Sequence, residues 1–227
     1  MMKLGTVGSG RRRRVSLRLG AVVAVLVALG ALLTGCGTSI VRTPRMSTSW
    51  SKGLPLGLAA LNNRVGLAVD EAGGVYTVWV STERDLHFVR LDDRASVESE
   101  RALALEVNRP QQPHLALDAT GQLHLVWLDK HERNVQVKYA RLSLEGNLLQ
   151  GPMVLSESGL VAGRLALVLD AAAQTAEVFW SDTSASRPGI YHAALDWGGA
   201  VVVPEEVLVP DGLAPAAQVD QRGFVHL

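Results

Sequence analysis

Cysteine occurs once in these 227 residues, at position 36, so no intrachain disulfide framework or thiolate metal site is open to the chain. The six histidines show no metal-ligand spacing, and no metal site is expected. Glycine-rich phosphate loops and nucleophile–base motifs are missing, and no cofactor is implied. Beyond the N-terminal region no cluster of Lys and Arg stands out, which argues against nucleic acid as a partner. No segment of the remaining chain reads as an amphipathic helix. The long apolar run AVVAVLVALGALL, residues 21–33, is too short for a stable membrane span.

What precedes and follows that run gives it a meaning. Lys3, the four arginines Arg11 to Arg14, and Arg18 lie ahead of it, and Leu33-Thr34-Gly35-Cys36 closes it. The order basic, apolar, small is that of an export signal, expected as a helical segment over residues 1–35. Leu33-Thr34-Gly35-Cys36 resembles the lipobox of bacterial lipoprotein signal peptides. That resemblance implies cleavage before Cys36 and a diacylglycerol on its thiol, at about 0.8 kcal/mol per buried methylene. Arg13-Arg14-Val15-Ser16-Leu17-Arg18 is also similar to a twin-arginine signal, with Ser16 where that pattern carries an aromatic residue, so the export route stays open. The expected location is the extracytoplasmic face of a cell membrane or envelope.

Residues 1–35 hold six of the 22 basic residues and none of the 22 acidic ones, which leaves residues 36–227 at a net charge of −6. Residues 37–53, GTSIVRTPRMSTSWSKG, are poor in aliphatics and suit a tether from lipid to domain over 36–53. At 48% hydrophobic, the chain can build a core without cross-links.

The rest is repetitive. VGLAVDEAGGVYTVW (65–79), PHLALDATGQLHLVW (113–127), LALVLDAAAQTAEVFW (165–180) and PAAQVDQRGFVHL (215–227) are four copies of one unit. Its marker aspartates are Asp70, Asp118, Asp170 and Asp220; Trp79, Trp127 and Trp180 close the second strand of the first three copies. In the first three copies an apolar run, expected to be buried on both faces, leads to an Asp turn; Gly73, Gly121 and Gly223 stand three residues after the Asp in the first, second and fourth copies, and the third has an extra residue in place of the glycine. Third strands are expected at 86–91, 135–142 and 190–195, and fourth strands near 97–105, 148–155 and 201–209. Four short strands recurring about every 50 residues match the blade of a β-propeller. The fold class is therefore all-β, with blades at about 64–106, 112–156 and 164–209, and a fourth begun at 214–227 within a partial propeller over 54–227. The C-terminal copy stops before its Trp, so the propeller is expected to be incomplete. Residues near 52–59 are expected as an outermost strand completing a last blade.

The apolar strand, Asp, Gly and Trp-ended strand together resemble bacterial neuraminidase repeats and sialidase-like propellers over residues 55–227. The Asp-box of that family is absent; the corresponding turns read Ser143-Leu144-Glu145-Gly146 and Leu195-Asp196-Trp197-Gly198-Gly199. Arg42-Thr43-Pro44 has the spacing of the family's first arginine strand but lies six residues from Cys36 with no apolar strand after it. No catalytic residue is carried over. The aspartates read as turn caps and the tryptophans as packing between adjacent sheets, with Trp197 as the better candidate for an exposed contact. His124 and His226 share a repeat position with Tyr76 and read as half-buried strand residues. The expected function is a membrane-anchored binding or scaffold module, with protein or glycan ligands on its rim and no reaction assigned. The alternative is a sialidase-like glycoside hydrolase.

Overall fold

The structure, a computed structural model, describes residues 53–227 apart from 62, 133, 157–160, 183, 185 and 221. The expected signal segment 1–35, the lipobox with Cys36, and nearly all of the tether lie outside the described residues. Among the described residues every regular element is a strand, and no helix is long and apolar enough to cross a membrane.

Three antiparallel four-stranded sheets follow one another along the chain, each a simple meander. Sheet 1 holds β1 (Gly66–Val69), β2 (Val75–Val80), β3 (Leu86–Leu91) and β4 (Val97–Ala102). Sheet 2 holds β5 (Pro110–Leu117), β6 (Leu123–His131), β7 (Asn134–Leu142) and β8 (Leu148–Val154). Sheet 3 holds β9 (Val161–Asp170), β10 (Thr175–Asp182), β11 (Gly189–Asp196) and β12 (Val201–Pro210). A two-stranded hairpin, β13 (Gln218–Val219) with β14 (Val225–His226), follows. Residues Leu54–Leu227 form one unit.

Strand composition tracks position within each sheet. The second strands, VYTVWV in β2 and LHLVWLDKH in β6, are apolar almost throughout and buried on both faces; β6 has a neighbouring sheet on each side, and β2 has sheet 2 on one side and Leu56 against Trp79 on the other. The fourth strands face water: β4 reads VESERA and β12 carries Glu206 amid exposed valines.

The period of two sorts side chains between layers. Tyr76, Val78 and Val80 of β2 meet Leu123, Leu125 and Trp127 of β6, forming the core between sheets 1 and 2. Val126 and Leu128, on the other face of β6, meet Val178 and Trp180 of β10 and Tyr191 of β11 in the core between sheets 2 and 3. Trp127 and Trp180 are completely buried, each such burial contributing about 1.5–3 kcal/mol or more. Trp79, on the face of β2 opposite Tyr76, Val78 and Val80, packs against Val89, Leu91 and Leu56. Phe179, Ile190 and Ala166 of sheet 3 meet Ala217 and Val225 of the last hairpin.

The first strands depart from expectation in part. In sheet 1 the run is not buried on both faces: Leu67 and Val69 of β1 are 59% and 54% exposed. In β9 Leu165 and Ala166 are buried in separate cores, one on each face. β1, β5 and β9 stand side by side around a shared axis. Each is entered through a register break, between Gln111 and His114 in β5 and opposite Trp180 to Asp182 in β9. In sheet 1 the corresponding segment is Ala59, bridged to Ser81, with the Ala60 N–H donating to the Val80 carbonyl. The segment expected to complete a last blade thus lies along sheet 1, where Gly57 fits against the Trp79 indole so closely that a Cβ would come within 2.8 Å of it.

Candidate functional site

Six hairpin turns share one construction. The first residue, Asp70, Asp92, Asp118, Ser143, Asp196 or Asp220, donates its N–H to the carbonyl four residues on and accepts at its own carbonyl from the N–H three residues on. Its side-chain oxygen also accepts the N–H four residues on, as at Gly74 (2.7 Å), Gln122 (2.9 Å) and Phe224 (3.0 Å). The residue before that last one sits at positive φ: Gly73, Gly121, Gly146, Gly199 and Gly223 in five turns and Ala95 in the sixth. Asp170 opens a turn one residue longer, accepts from the N–H groups of Ala172 and Ala173, and places Gln174 at positive φ.

The second oxygen of three of the four marker aspartates reaches the residue six places on. Tyr76 donates its hydroxyl to Asp70 Oδ2 at 2.8 Å, and His124 Nε2 and His226 Nε2 lie 3.1 and 3.2 Å from Asp118 and Asp220. The Tyr76 bond and the Gly74 N–H hold the Asp70 carboxyl below the usual range, while burial and that carboxylate push the Tyr76 hydroxyl up to about 12. Burial works against ionisation of Asp118, but the bonds from Gln122, Thr120 and His124 outweigh it and its pKa is lowered. His124 is completely buried, more deeply than its repeat position suggests, and His226 is mostly exposed.

A further repeated carboxylate escapes sequence inspection. Asp129, two residues past Trp127, is fully buried; it accepts the N–H groups of Asn108 and Arg109 and pairs with Lys138 Nζ at 2.8 Å. Asp182 stands two residues past Trp180 and accepts the Ser184 N–H, while Ser81 holds the equivalent place after Trp79. The Trp-x-Asp pairing in two copies was the available signal.

The shared axis carries a cavity at each end of the first strands. Where those strands end, Val69, Leu117 and Leu169 meet beside Asp70, Glu71 and Trp197 around a cavity of about 630 Å³. Trp197, expected as an exposed contact, is half-buried there, and its carbonyl accepts from Arg141 at 2.6 Å. Toward the start of the strands, Arg64, His114 and Arg164 line a second cavity of about 260 Å³, closed by Ala214 to Ala217 of the fourth copy. Residues at one end of β1, β5 and β9 share one cavity and those at the other end share the second, so the three strands run in the same sense.

The sequence-derived set is divided by this geometry. Asp70 and Asp118 come together at the larger axial cavity, Asp170 and Asp220 sit at the corresponding turns of sheet 3 and the last hairpin, and Trp127 and Trp180 lie in the cores away from the axis. A third cavity, about 360 Å³, lies off the axis beside Trp79, His87, Asp85 and Glu100. No cluster of three metal-ligating side chains occurs among the described residues.

No family model matches the chain, and no curated protein does. Solved structures similar to it include the endo-arabinase from Bacteroides thetaiotaomicron, at 15% identity and a TM-score of 0.47, covering 70% of this chain and 66% of that one. The GH43_1 enzyme from Xanthomonas citri aligns at 11% identity and a TM-score of 0.47, over 75% of this chain and 59% of its own. The catalytic domain of the GH62 α-L-arabinofuranosidase from Coprinopsis cinerea aligns at 13% and 0.44, over 78% and 68%. This chain spans less than two-thirds of the length of the first two.

Proposed function

We propose that the protein is a lipid-anchored, extracytoplasmic β-propeller that acts as a binding module, with its blades formed by the three described sheets and the last hairpin. The observation that carries this reading is the convergence of all four sequence copies on one axis with a cavity at its narrower end lined by Arg64, His114, Arg164 and the Ala214 segment. Binding sites at the mouths of radially repeated sheets take ligands that several blades contact together. The address rests on Leu33-Thr34-Gly35-Cys36 and the basic, apolar segment before it. Protein or glycan ligands would meet the axial mouths and rim loops, and the membrane partner is reached through the lipid.

A glycoside hydrolase is the second reading, favoured by the three carboxylates Asp70, Glu71 and Asp118 at the larger cavity. Hydrolysis needs a pair free to act as acid and as base or nucleophile. Asp70 and Asp118 each accept turn hydrogen bonds on one oxygen and a side-chain bond on the other, which commits them to the fold. Glu71 is then the carboxylate of the three that a hydrolase would have to use.

Two measurements test these readings. Expression of Cys36→Ala in a bacterial host followed by membrane fractionation should release the protein or leave an unprocessed precursor; a processed, membrane-bound variant would end the lipoprotein reading. Incubation with sialosides and with substrates of endo-arabinases and α-L-arabinofuranosidases should give binding but no product. Turnover that disappears in Glu71→Gln would instead establish the hydrolase.

A further inference from the structure

The smaller axial cavity has an unbalanced charge. Arg64 and Arg164 come from the entries of the first and third copies, His114 from β5 between them, and the wall opposite is alanine and proline. Neither guanidinium makes an ion pair with any described carboxylate, and none of the residues around the cavity is acidic. Most arginines with a fixed place in this molecule do have acceptors: Arg90 pairs with Glu98 at 2.9 Å, Arg187 with Glu205 at 3.4 Å, and Arg101 donates to Asn147 at 2.7 Å.

His114 adds a donor without a mate. Its Nε2 is buried and has no hydrogen-bond partner among the described residues. Burial, then the neighbouring Arg64 charge, pushes the imidazole down to about 4, so at neutral pH it is an uncharged N–H donor or acceptor in a cavity that also carries two exposed guanidiniums. A buried polar atom left unpaired costs about 1–3 kcal/mol, a cost that a ligand atom placed against it would remove.

We propose that Arg64, Arg164 and His114 form a binding site for a small oxyanion, the carboxylate of an acidic sugar or a phosphate group, at the strand-entry end of the axis. A guanidinium matches the planar oxygens of a carboxylate or the oxygens of a phosphate, and two of them line this cavity. The walls Leu165, Ala166 and Leu167 supply an apolar floor for the rest of the ligand. The inference rests on the reading of the axis as the ligand site and gives that site its chemistry.

The test uses the mature chain released from its lipid by Cys36→Ser, with ligand binding followed by heteronuclear NMR and calorimetry. Galacturonate and inorganic phosphate are the probes, and galactose is the neutral control. Expected are saturable shifts at Arg64, His114 and Arg164 with at least one anion and none there with galactose. Affinity should weaken by about tenfold or more in Arg64→Ala and in Arg164→Ala, with partial recovery in the Lys variants, and should fall as salt is raised. Both arginine side chains are exposed, so these variants keep the fold. Binding of galacturonate alone identifies an acidic sugar; binding of both identifies a general oxyanion site. Galactose binding at the axis with equal affinity, or anion affinity unchanged in the double alanine variant, would overturn the anion site and leave the axial site standing. Shifts confined to the cavity beside Trp79 and His87, or no shift with any probe, would overturn the axial reading as well.

Discussion

The Nε2 of His124 lies 3.1 Å from Oδ2 of Asp118, with neither side chain exposed to solvent, and the same ring's Nδ1 lies 2.8 Å from the Tyr139 hydroxyl. This chain of bonds links the turn after β5, the second strand and the third strand of sheet 2 through its core. His124→Phe would leave both Asp118 Oδ2 and the Tyr139 hydroxyl unsatisfied, and each orphaned group costs about 1–3 kcal/mol. Tyr139→Phe strands only one ring nitrogen and should cost less. Denaturant unfolding of the two variants and of the double variant should show strong non-additivity, with the double closer to His124→Phe than the sum predicts.

The turns opened by an aspartate make a second prediction, because two of them place a residue other than glycine in the left-handed region. Ala95 has φ 61° and Gln174 φ 56°, at the places where five other turns have glycine. A side chain there costs roughly 1–2 kcal/mol, partly offset by the extra freedom glycine gives the unfolded chain. Ala95→Gly and Gln174→Gly should therefore each raise stability by about 0.5 kcal/mol, and Gly121→Ala should lower it by about 1 kcal/mol. Shifts of the denaturation midpoint at constant slope are the readout.

The turns also show why so much of this fold was legible. An Asp followed by Gly three residues on, between apolar runs, encodes both the hydrogen bonds and the dihedral of the hairpin, so third strands expected at 86–91 and 135–142 correspond to β3 at Leu86–Leu91 and β7 at Asn134–Leu142. Local chemistry could not tell which face of the first strand is covered. Leu67 and Val69 read as core because they are apolar, yet they face the axis, a property of how sheets are arranged around it. The axial cations were hidden for a related reason. Arg64 and Arg164 stand six residues before their marker aspartates but His114 only four before Asp118, so the three share no single repeat position.

Asp129 carries the third prediction. With its carboxylate fully buried, it holds the Asn108 and Arg109 backbone at 3.0 and 2.9 Å and the Lys138 ammonium at 2.8 Å, fastening the entry of β5 to β6 and β7. Removing one partner of such a pair leaves the other uncompensated, a loss of about 3–5 kcal/mol. Asp129→Ala should show that loss in thermal unfolding. Asp129→Asn keeps acceptors for the two N–H groups and should lose less, and Lys138→Met added to Asp129→Asn should recover part of it.

The histidines give the protein a stability profile whose two sides have separate origins. The folded His114 imidazole sits at about 4 against 6.5 in the unfolded chain, so between those values the unfolded state binds a proton that the fold refuses. Stability should therefore fall with acidification through that window, by up to about 3 kcal/mol near pH 4. His192 has the opposite sign. Burial lowers its affinity for the proton, but Glu177 at 2.6 Å and Glu206 at 3.1 Å outweigh it and raise its pKa above 6.5. Its contribution is complete below pH 6.5 and is lost as pH rises through the folded value. His114→Gln should flatten the acid side alone, and His192→Gln the alkaline side alone. Imidazole resonances followed by NMR should titrate with His192 above its unfolded value and with His114 and His124 below theirs, His124 because burial opposes its charge more than Asp118 favours it. A His114 resonance titrating at 6.5 or above in the unliganded protein would mean that its cavity already holds compensating negative charge.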